Sequence, residues 1–346
     1  MLTRRDALQH LIRLGLLTPD DLVTQSIVAT EYVGRNHLVR FERPNAPCYI
    51  VKQPRDATAP DASTMWTEAA VFWLSVNDPV FAVLAPWIPK YYHYDEPNKI
   101  LTIELIAGAA SLMEKQMAAA PLPSQLHDAG RAFATLHGPA SQVLHEDRVR
   151  RLFRAGIAWV LTLGVPQSPF VPANHAAQSI VATVLQRPDV LAALALARAD
   201  WRDAQIVHGD AKAANVLVLA DGAVRVIDWE IAALGDGLWD IAGLVQSLLM
   251  PNPMVAPDTL DVAQPRAQAL IEALWAGYVA VLPPPAHLAD ARVTLLRLAG
   301  ARMLQTCLEW AQVSSQIYPQ TPNLLQMGLE LLTRPEAWRQ RWERAA

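Results

Sequence analysis

The chain has 346 residues, of which 52% are hydrophobic and 18% charged, and its formal net charge is −4. This length suggests about two domains, and the apolar fraction excludes intrinsic disorder, because burying that surface offsets the entropy of ordering. The balance of 29 basic and 33 acidic residues disfavours nucleic-acid binding through a basic face, and two distant cysteines exclude a disulfide or zinc framework.

The N-terminal segment is predicted to form an amphipathic helix. Its apolar residues Leu8, Leu11, Ile12 and Leu16 repeat at helical spacing, and charged residues interrupt any signal-peptide core. The sequence has no uninterrupted apolar run of the roughly 20 residues that a membrane span needs. We therefore expect a soluble cytoplasmic protein that has no membrane partner.

The first hundred residues otherwise favour strands. β-favouring runs separated by turn residues extend over Ser26 to Tyr32, Asn36 to Glu42, Cys48 to Gln53 and Lys99 to Ile106. Thr64 to Ser75 is predicted to be a helix. These elements indicate an N-terminal lobe with an antiparallel sheet over residues 1–106.

After residue 107 the pattern becomes mainly helical. Helices are predicted at Pro123 to Gly138, Glu146 to Leu163 and His175 to Arg187, and from Trp239 onward with proline breaks near 251–265, 283–286 and 319–322. One β-rich island interrupts them, Ile206 to Trp229. The fold class is therefore predicted to be α+β, with a second, larger lobe over residues 107–346.

The most informative stretch is IVHGDAKAANVLVLADGAVRVIDWE, residues 206–230. Asp221-Gly222 is a strong hairpin signal between two strand-like runs, and a hairpin brings its two ends together. We therefore expect Asp210 and Asn215 to lie near Asp228. Carboxylate and amide oxygens are ligands that Mg²⁺ prefers, usually together with substrate phosphates.

This pattern resembles the aminoglycoside phosphotransferase and choline kinase group, which has a bilobal protein-kinase-like fold. The pattern consists of H-G-D, four further residues and an Asn, followed after a hairpin by I-D-W-E. The resemblance extends along most of the chain. It implies that Asp210 is the catalytic Asp that accepts the proton of the acceptor hydroxyl, and that Asn215 and Asp228 hold the metal. It also implies that ATP (or GTP) and Mg²⁺ are the cofactors.

Lys52 is one of only five lysines and lies within a strand-like run, CYIVKQ. It matches the family's phosphate-binding lysine, and Glu68, 16 residues further on, matches the glutamate that pairs with it. Glu31 and Glu42 are weaker alternatives for the pairing. A solvated lysine on an edge strand and an exposed helical glutamate are the structural alternatives.

Further contacts with the nucleotide are predicted at three segments of the chain. Gly34 stands alone where a protein kinase has G-x-G-x-x-G, so Arg35 and Asn36 are expected to donate to phosphates, or to form a plain turn. The backbone of Glu104 and Ile106 is expected to hold the adenine. Lys212, two residues after Asp210, is expected to offset charge on the transferred group, or to be a solvated loop lysine.

His208 and Asp240 are expected to support the catalytic loop rather than to react. Both match the family, His208 at the loop's entry and Asp240 in GDGLWDIA, where the family has a buried aspartate that accepts backbone hydrogen bonds from the loop.

The acceptor is less defined by the sequence. Residues 230–346 hold 11 acidic and 8 basic side chains. A pocket for a polycationic acceptor should be more acidic than this average, so such an acceptor is disfavoured. Arg292, Arg302, Gln305, Glu309 and Trp310 are candidate contacts. Phosphoryl transfer to a small molecule (an antibiotic, sugar or amino alcohol) is the first prediction. The alternatives are a kinase that phosphorylates Ser or Thr of a peptide in natural-product biosynthesis, and a non-catalytic nucleotide-binding module.

Overall fold

The computed structural model describes residues 2–34, 36–56, 63–120, 122–166, 168–251 and 260–345. In chain order its helices are α1 (Arg4–Arg13), α2 (Pro19–Thr24), α3 (Ser63–Asn77), α4 (Leu112–Met117), α5 (Pro123–His137), α6 (Asp147–Arg150), α7 (His175–Leu185), α8 (Pro188–Asp200), α9 (Leu238–Leu249), α10 (Leu260–Val279), α11 (Ala291–Ser314), α12 (Thr321–Thr333) and α13 (Pro335–Ala345). Its strands are β1 (Val28–Val33), β2 (Asn36–Glu42), β3 (Cys48–Pro54), β4 (Tyr91–Asp95), β5 (Ile100–Leu105), β6 (Ala110–Ser111), β7 (Gln205–Val207), β8 (Val216–Val218), β9 (Val224–Val226) and β10 (Ala233–Gly235).

The chain divides into two compact units. The first consists of Met1–Ala110 and Leu217–Ala232, and the second of Ser111–Val216 and Ala233–Ala346. Strands dominate the first unit and helices the second, so the predicted α+β class is confirmed. The limits 1–106 and 107–346 for two lobes stay a prediction.

The first unit is built on an antiparallel sheet with the strand order β1-β2-β3-β5-β4. Successive side chains of a strand point to opposite faces. Val39 and Val51 are fully buried on one face, in a cluster with Leu11 of α1. Lys52 follows Val51 and therefore projects from the other face, where it contacts α3.

The predicted hairpin after the H-G-D motif lies mostly in this first unit. Strands β8 and β9 are neighbours, and the turn between them contains Gly222 with φ +87°, a conformation that favours glycine. The Asp221 carboxylate accepts a hydrogen bond from the Ala223 amide at 3.0 Å, which closes the turn.

The second unit centres on α5 packed closely against α10. A Cβ atom added at Gly130 would collide with the carbonyl oxygen of Leu274, and one at Gly277 with that of His127. Both glycines are therefore required for this backbone-to-backbone contact. It fixes the end of α5 beside Tyr278 of α10.

Most predicted elements are present within a few residues, but the helix from Glu146 to Leu163 is wrong. Only the short α6 and a 3₁₀ turn at Trp159–Thr162 form there. The backbone of residues 154–156 instead pairs with Leu234 of β10, which donates to the Arg154 carbonyl and accepts from the Gly156 amide. This long-range pairing overrides the local helical pattern.

The predicted proline break near 251–265 lies partly outside the described residues. Within them, Pro265 stands inside α10 rather than before it. The sequence did not reveal α2, α4, α8, β4, β6 or β10. No single helix among the described residues is long and apolar enough to cross a membrane, and two bent helix pairs pass only by length and composition.

Candidate active site

In the first unit, Lys52 and Glu68 form a buried ion pair. The Lys52 ammonium donates to both oxygens of Glu68, at 2.9 and 3.0 Å, and both side chains are almost completely buried. β3 presents the lysine and α3 the glutamate. Glu31, an alternative partner in the sequence, lies instead 3.6 Å from Arg4.

Asp228 also lies close to the Lys52 ammonium. Its Oδ1 is 3.5 Å from the Lys52 nitrogen, and its side chain is 37% exposed. Asp228 adopts φ +70°, the left-handed region that costs a non-glycine residue free energy, so the surrounding loop holds this carboxylate in a strained backbone. The carboxylate is thus both fixed and accessible.

The charges around Lys52 keep it protonated. Burial disfavours the charged ammonium, but the carboxylates of Glu68, Asp228 and Glu230 outweigh burial and raise the pKa of Lys52. Burial raises the pKa of Glu68, and the Lys52 ammonium offsets only part of that effect. One ammonium therefore stands among three carboxylates, which leaves the site short of positive charge.

The described residues among those predicted to contact the nucleotide's phosphates and adenine also lie in or near the first unit's sheet. The Asn36 side chain donates to Glu230 Oε2 at 3.0 Å, which ties the tip of the β1–β2 hairpin to the chain after Asp228. Arg35 lies outside the described residues. The amide of Glu104 donates to the Lys90 carbonyl at 2.8 Å, so an adenine contact from Glu104 would use its carbonyl oxygen. Ile106 follows the end of β5.

In the second unit, Asp210 lies in a tight loop after β7. The Lys212 ammonium donates to its Oδ2 at 2.5 Å. The Asn215 amide nitrogen donates to the Asp210 carbonyl at 2.9 Å and lies 3.4 Å from Oδ2. This leaves the amide oxygen of Asn215 as the part of that side chain able to bind a cation.

Asp240, at the start of α9, holds the entry to this loop. It is completely buried and accepts hydrogen bonds from the amides of His208 and Gly209 at 2.6 and 2.9 Å. Burial alone would raise the pKa of Asp240, but the hydrogen bond from His137 and those from the loop lower it overall. The ionised carboxylate therefore stabilises the loop conformation.

The sequence reasoning missed His137 and Tyr278. His137 Nε2 lies 3.1 Å from Asp240 Oδ2, and its Nδ1 lies 3.1 Å from the Tyr278 hydroxyl. Burial raises the pKa of Tyr278, so this hydroxyl stays a neutral donor. A histidine at the last position of α5 was the available signal, but its partners are more than 100 residues away.

We expect Asp240→Asn to lower the free energy of unfolding by about 3 kcal/mol, because the amide group presents a donor where backbone donors already point. Below pH 3.8, its ordinary value, the wild type loses the contribution of this carboxylate as pH falls through the lowered pKa, whereas the variant has no such loss. Urea unfolding at several pH values measures both. Asp203→Asn, an exposed carboxylate, is the control; equal stability of Asp240→Asn and the wild type would contradict the expectation.

The chain belongs to the phosphotransferase enzyme family (APH), whose family model matches residues 34–284. No match to a curated protein was found. Among solved structures, a choline/ethanolamine kinase family protein from Mesorhizobium loti is similar over 99% of both chains, with a TM-score of 0.57 at 18% identity. An ethanolamine kinase from Plasmodium vivax matches 99% of this chain and 90% of its own, with a TM-score of 0.56 at 13% identity.

A thermostable mutant of aminoglycoside phosphotransferase APH(4)-Ia matches 92% of this chain and 97% of its own, with a TM-score of 0.54 at 13% identity. The predicted family and kinase-like fold are thus confirmed, and so is the prediction of a phosphotransferase with an alcohol group as acceptor.

Proposed function

We propose that the protein transfers the γ-phosphoryl group of ATP or GTP, with Mg²⁺, to a hydroxyl group of a small molecule. The observation that carries this proposal is the buried Lys52–Glu68 pair with the Asp228 carboxylate 3.5 Å away. The Lys52 ammonium is a fixed cation that can bind phosphate oxygens, and the carboxylate of Asp228 beside it is accessible to a metal ion. Kinase-like phosphotransfer requires both.

Each unit offers an oxygen donor of the kind that the implied metal prefers. In the first unit the carboxylate of Asp228 is 37% exposed, and in the second unit the Asn215 side chain has an amide oxygen while its nitrogen is already hydrogen-bonded. Mg²⁺ is bound in such sites by one or two side chains together with phosphate oxygens. When bound, the ion would neutralise charge on the phosphates.

Asp210 is proposed as the acceptor of the hydroxyl proton. Its carboxylate is 30% exposed and therefore reachable by a substrate. Lys212, 44% exposed, is proposed to turn from Asp210 Oδ2 towards the transferred group and to offset the charge that its equatorial oxygens carry in the transition state. Asp240 and His208 stabilise the loop through the hydrogen bond from the His208 amide to the Asp240 carboxylate. Lys52 is proposed to bind the phosphates.

The acceptor is proposed to be a hydroxyl compound of low charge, such as an amino alcohol or a sugar. The relatives named above include choline/ethanolamine kinases. The excess of acidic over basic residues in the C-terminal third is small, whereas a pocket for a polycation should be more acidic than that. We also propose the hinge contacts of Glu104 and Ile106, and phosphate contacts from the backbone amides of Arg35 and Asn36, since the Asn36 side chain already donates to Glu230. Cytoplasmic location stays a prediction.

The test is release of ADP from ATP in a panel of acceptors. The panel holds choline, ethanolamine, a reducing sugar, an aminoglycoside, a macrolide and a serine peptide. We expect turnover with one small acceptor, its loss when EDTA removes the metal, and its recovery when Mg²⁺ is added back. Turnover of the serine peptide alone would favour the peptide kinase. Nucleotide binding without release of ADP for any acceptor would favour a non-catalytic module, and either result would overturn this proposal.

A further inference from the structure

A buried arginine from a distant helix contacts the loop that carries Asp210. Arg302 lies in the middle of α11, and its side chain is 7% exposed. Its two terminal nitrogens lie 3.4 Å from the carbonyl oxygens of Gly209 and Ala211, the residues on either side of Asp210. The guanidinium therefore spans the loop at the position of the aspartate.

The same guanidinium also approaches the carboxylate of Asp210. Nη2 of Arg302 is 3.7 Å from Oδ1, while Lys212 holds Oδ2 at 2.5 Å. The two cations therefore contact different oxygens of the carboxylate. A carboxylate held in this way keeps one rotation about its side-chain bond.

The surroundings of Arg302 restrict it to this position. Its guanidinium carbon lies 5.0 Å from the ring centre of Trp239, at the start of α9. A Cβ atom added at Gly243, one turn further along α9, would meet the Ala211 carbonyl and lie 3.1 Å from Arg302 Nη2. The absence of a side chain there leaves the room in which arginine and loop meet.

Net stabilisation does not explain a cation at this place. Removing a charge from water costs several kcal/mol, and hydrogen bonds of 3.4 Å return little of it. The Nε of Arg302 has no hydrogen-bond partner among the described residues, which adds a further cost. What the arginine does provide is a planar group that fixes two carbonyls and a carboxylate at once.

We propose that Arg302 is a positioning residue that orients the carboxylate of Asp210 towards the acceptor hydroxyl. The proposal rests on the proposed function, because it assigns Asp210 the reacting proton. α11 is a 24-residue helix packed among the other helices of its unit, so it supplies a rigid support. Arg302 would act through Asp210 and not touch the substrate.

The test compares Arg302→Met and Arg302→Lys with a matched control. Arg297→Met removes another buried arginine of α11, which bonds Glu336 of α13 at 3.4 Å and does not contact the loop. We measure ADP release with the accepted hydroxyl compound, or with water as acceptor, together with ATP affinity by calorimetry and thermal unfolding. For Arg302→Met we expect kcat to fall about 10²-fold with ATP affinity unchanged, since displacement by about 1 Å costs that much.

The kcat of Arg302→Lys is expected to fall about tenfold, because an ammonium cannot bridge two carbonyls and a carboxylate as a guanidinium does. Arg297→Met should retain the wild-type kcat even if it unfolds at a lower temperature. The inference is overturned if Arg302→Met keeps the wild-type kcat, or if the kcat of both methionine variants falls alike. It stands if only the Arg302 variants lose turnover. If instead Asp210→Asn keeps its turnover, it is the proposed function that fails, so the two failures are distinguishable.

Discussion

Replacing Asp210 by asparagine is expected to lower kcat about 10³-fold, because a carboxamide cannot accept the proton of the attacking hydroxyl. The local geometry adds to this loss. The two carboxylate oxygens face different cations, Lys212 at 2.5 Å and Arg302 at 3.7 Å. The amide nitrogen of an asparagine would have to face one of them, so the loop could not keep both contacts.

ATP binding should survive this substitution, since Lys52, Glu68 and Asp228 belong to the other unit of the chain. Release of ADP measures turnover, and calorimetry measures the affinity for ATP. Asp221→Asn is a matched control, because it makes the same chemical change in the hairpin turn, where asparagine before glycine is equally suited. Unchanged turnover in Asp210→Asn would refute the proposed mechanism.

The sequence was sufficient to predict the α+β class and the elements with strong local signals. The hairpin at Asp221-Gly222 follows from turn chemistry that needs no tertiary partner. The strand around Lys52 was recognisable because a rare lysine stands among β-favouring apolar residues. The prediction of a helix from Glu146 to Leu163 was wrong, because the backbone of this segment pairs with Leu234, a contact that no local pattern encodes.

The supporting contacts of the loop could not be predicted for a related reason. Arg302 stands between alanine and methionine in a helix whose mixed polar and apolar residues suggested contacts with the acceptor. The structure places it on the carbonyls of Gly209 and Ala211, over 90 residues earlier. A charged residue within an apolar helical stretch signals burial, but only the fold identifies its partner. The same holds for His137, which meets Asp240.

The buried pair of Lys52 and Glu68 should respond asymmetrically to substitution. Lys52→Met leaves the Glu68 carboxylate buried without its cation, and we expect about 3–5 kcal/mol less free energy of unfolding near pH 7. The double variant Lys52→Met, Glu68→Leu removes both charges, so it should recover most of that loss. It should still not bind nucleotide phosphates, which separates the structural role of the pair from its proposed function.

The stability of Lys52→Met should depend on pH through the titration of Glu68. Burial raises the pKa of Glu68 already in the wild type, and without Lys52 nothing offsets that burial, so the folded variant binds a proton that the unfolded chain at the same pH does not. Lys52→Met should therefore gain stability as pH falls from 7 towards 4.5, the ordinary value for the glutamate. The double variant should show no such gain, because leucine does not titrate.

Urea unfolding of the wild type, the single variant and the double variant at several pH values measures these differences. The control is the exposed pair of Arg187 and Asp189, 46% and 51% accessible, whose neutralisation should lower the free energy of unfolding by less than about 1 kcal/mol because solvent screens both charges. A double variant as unstable as Lys52→Met would show that the loss comes from packing and not from the unpaired charge. A double variant with wild-type stability and full ATP affinity would remove Lys52 from the proposed nucleotide site.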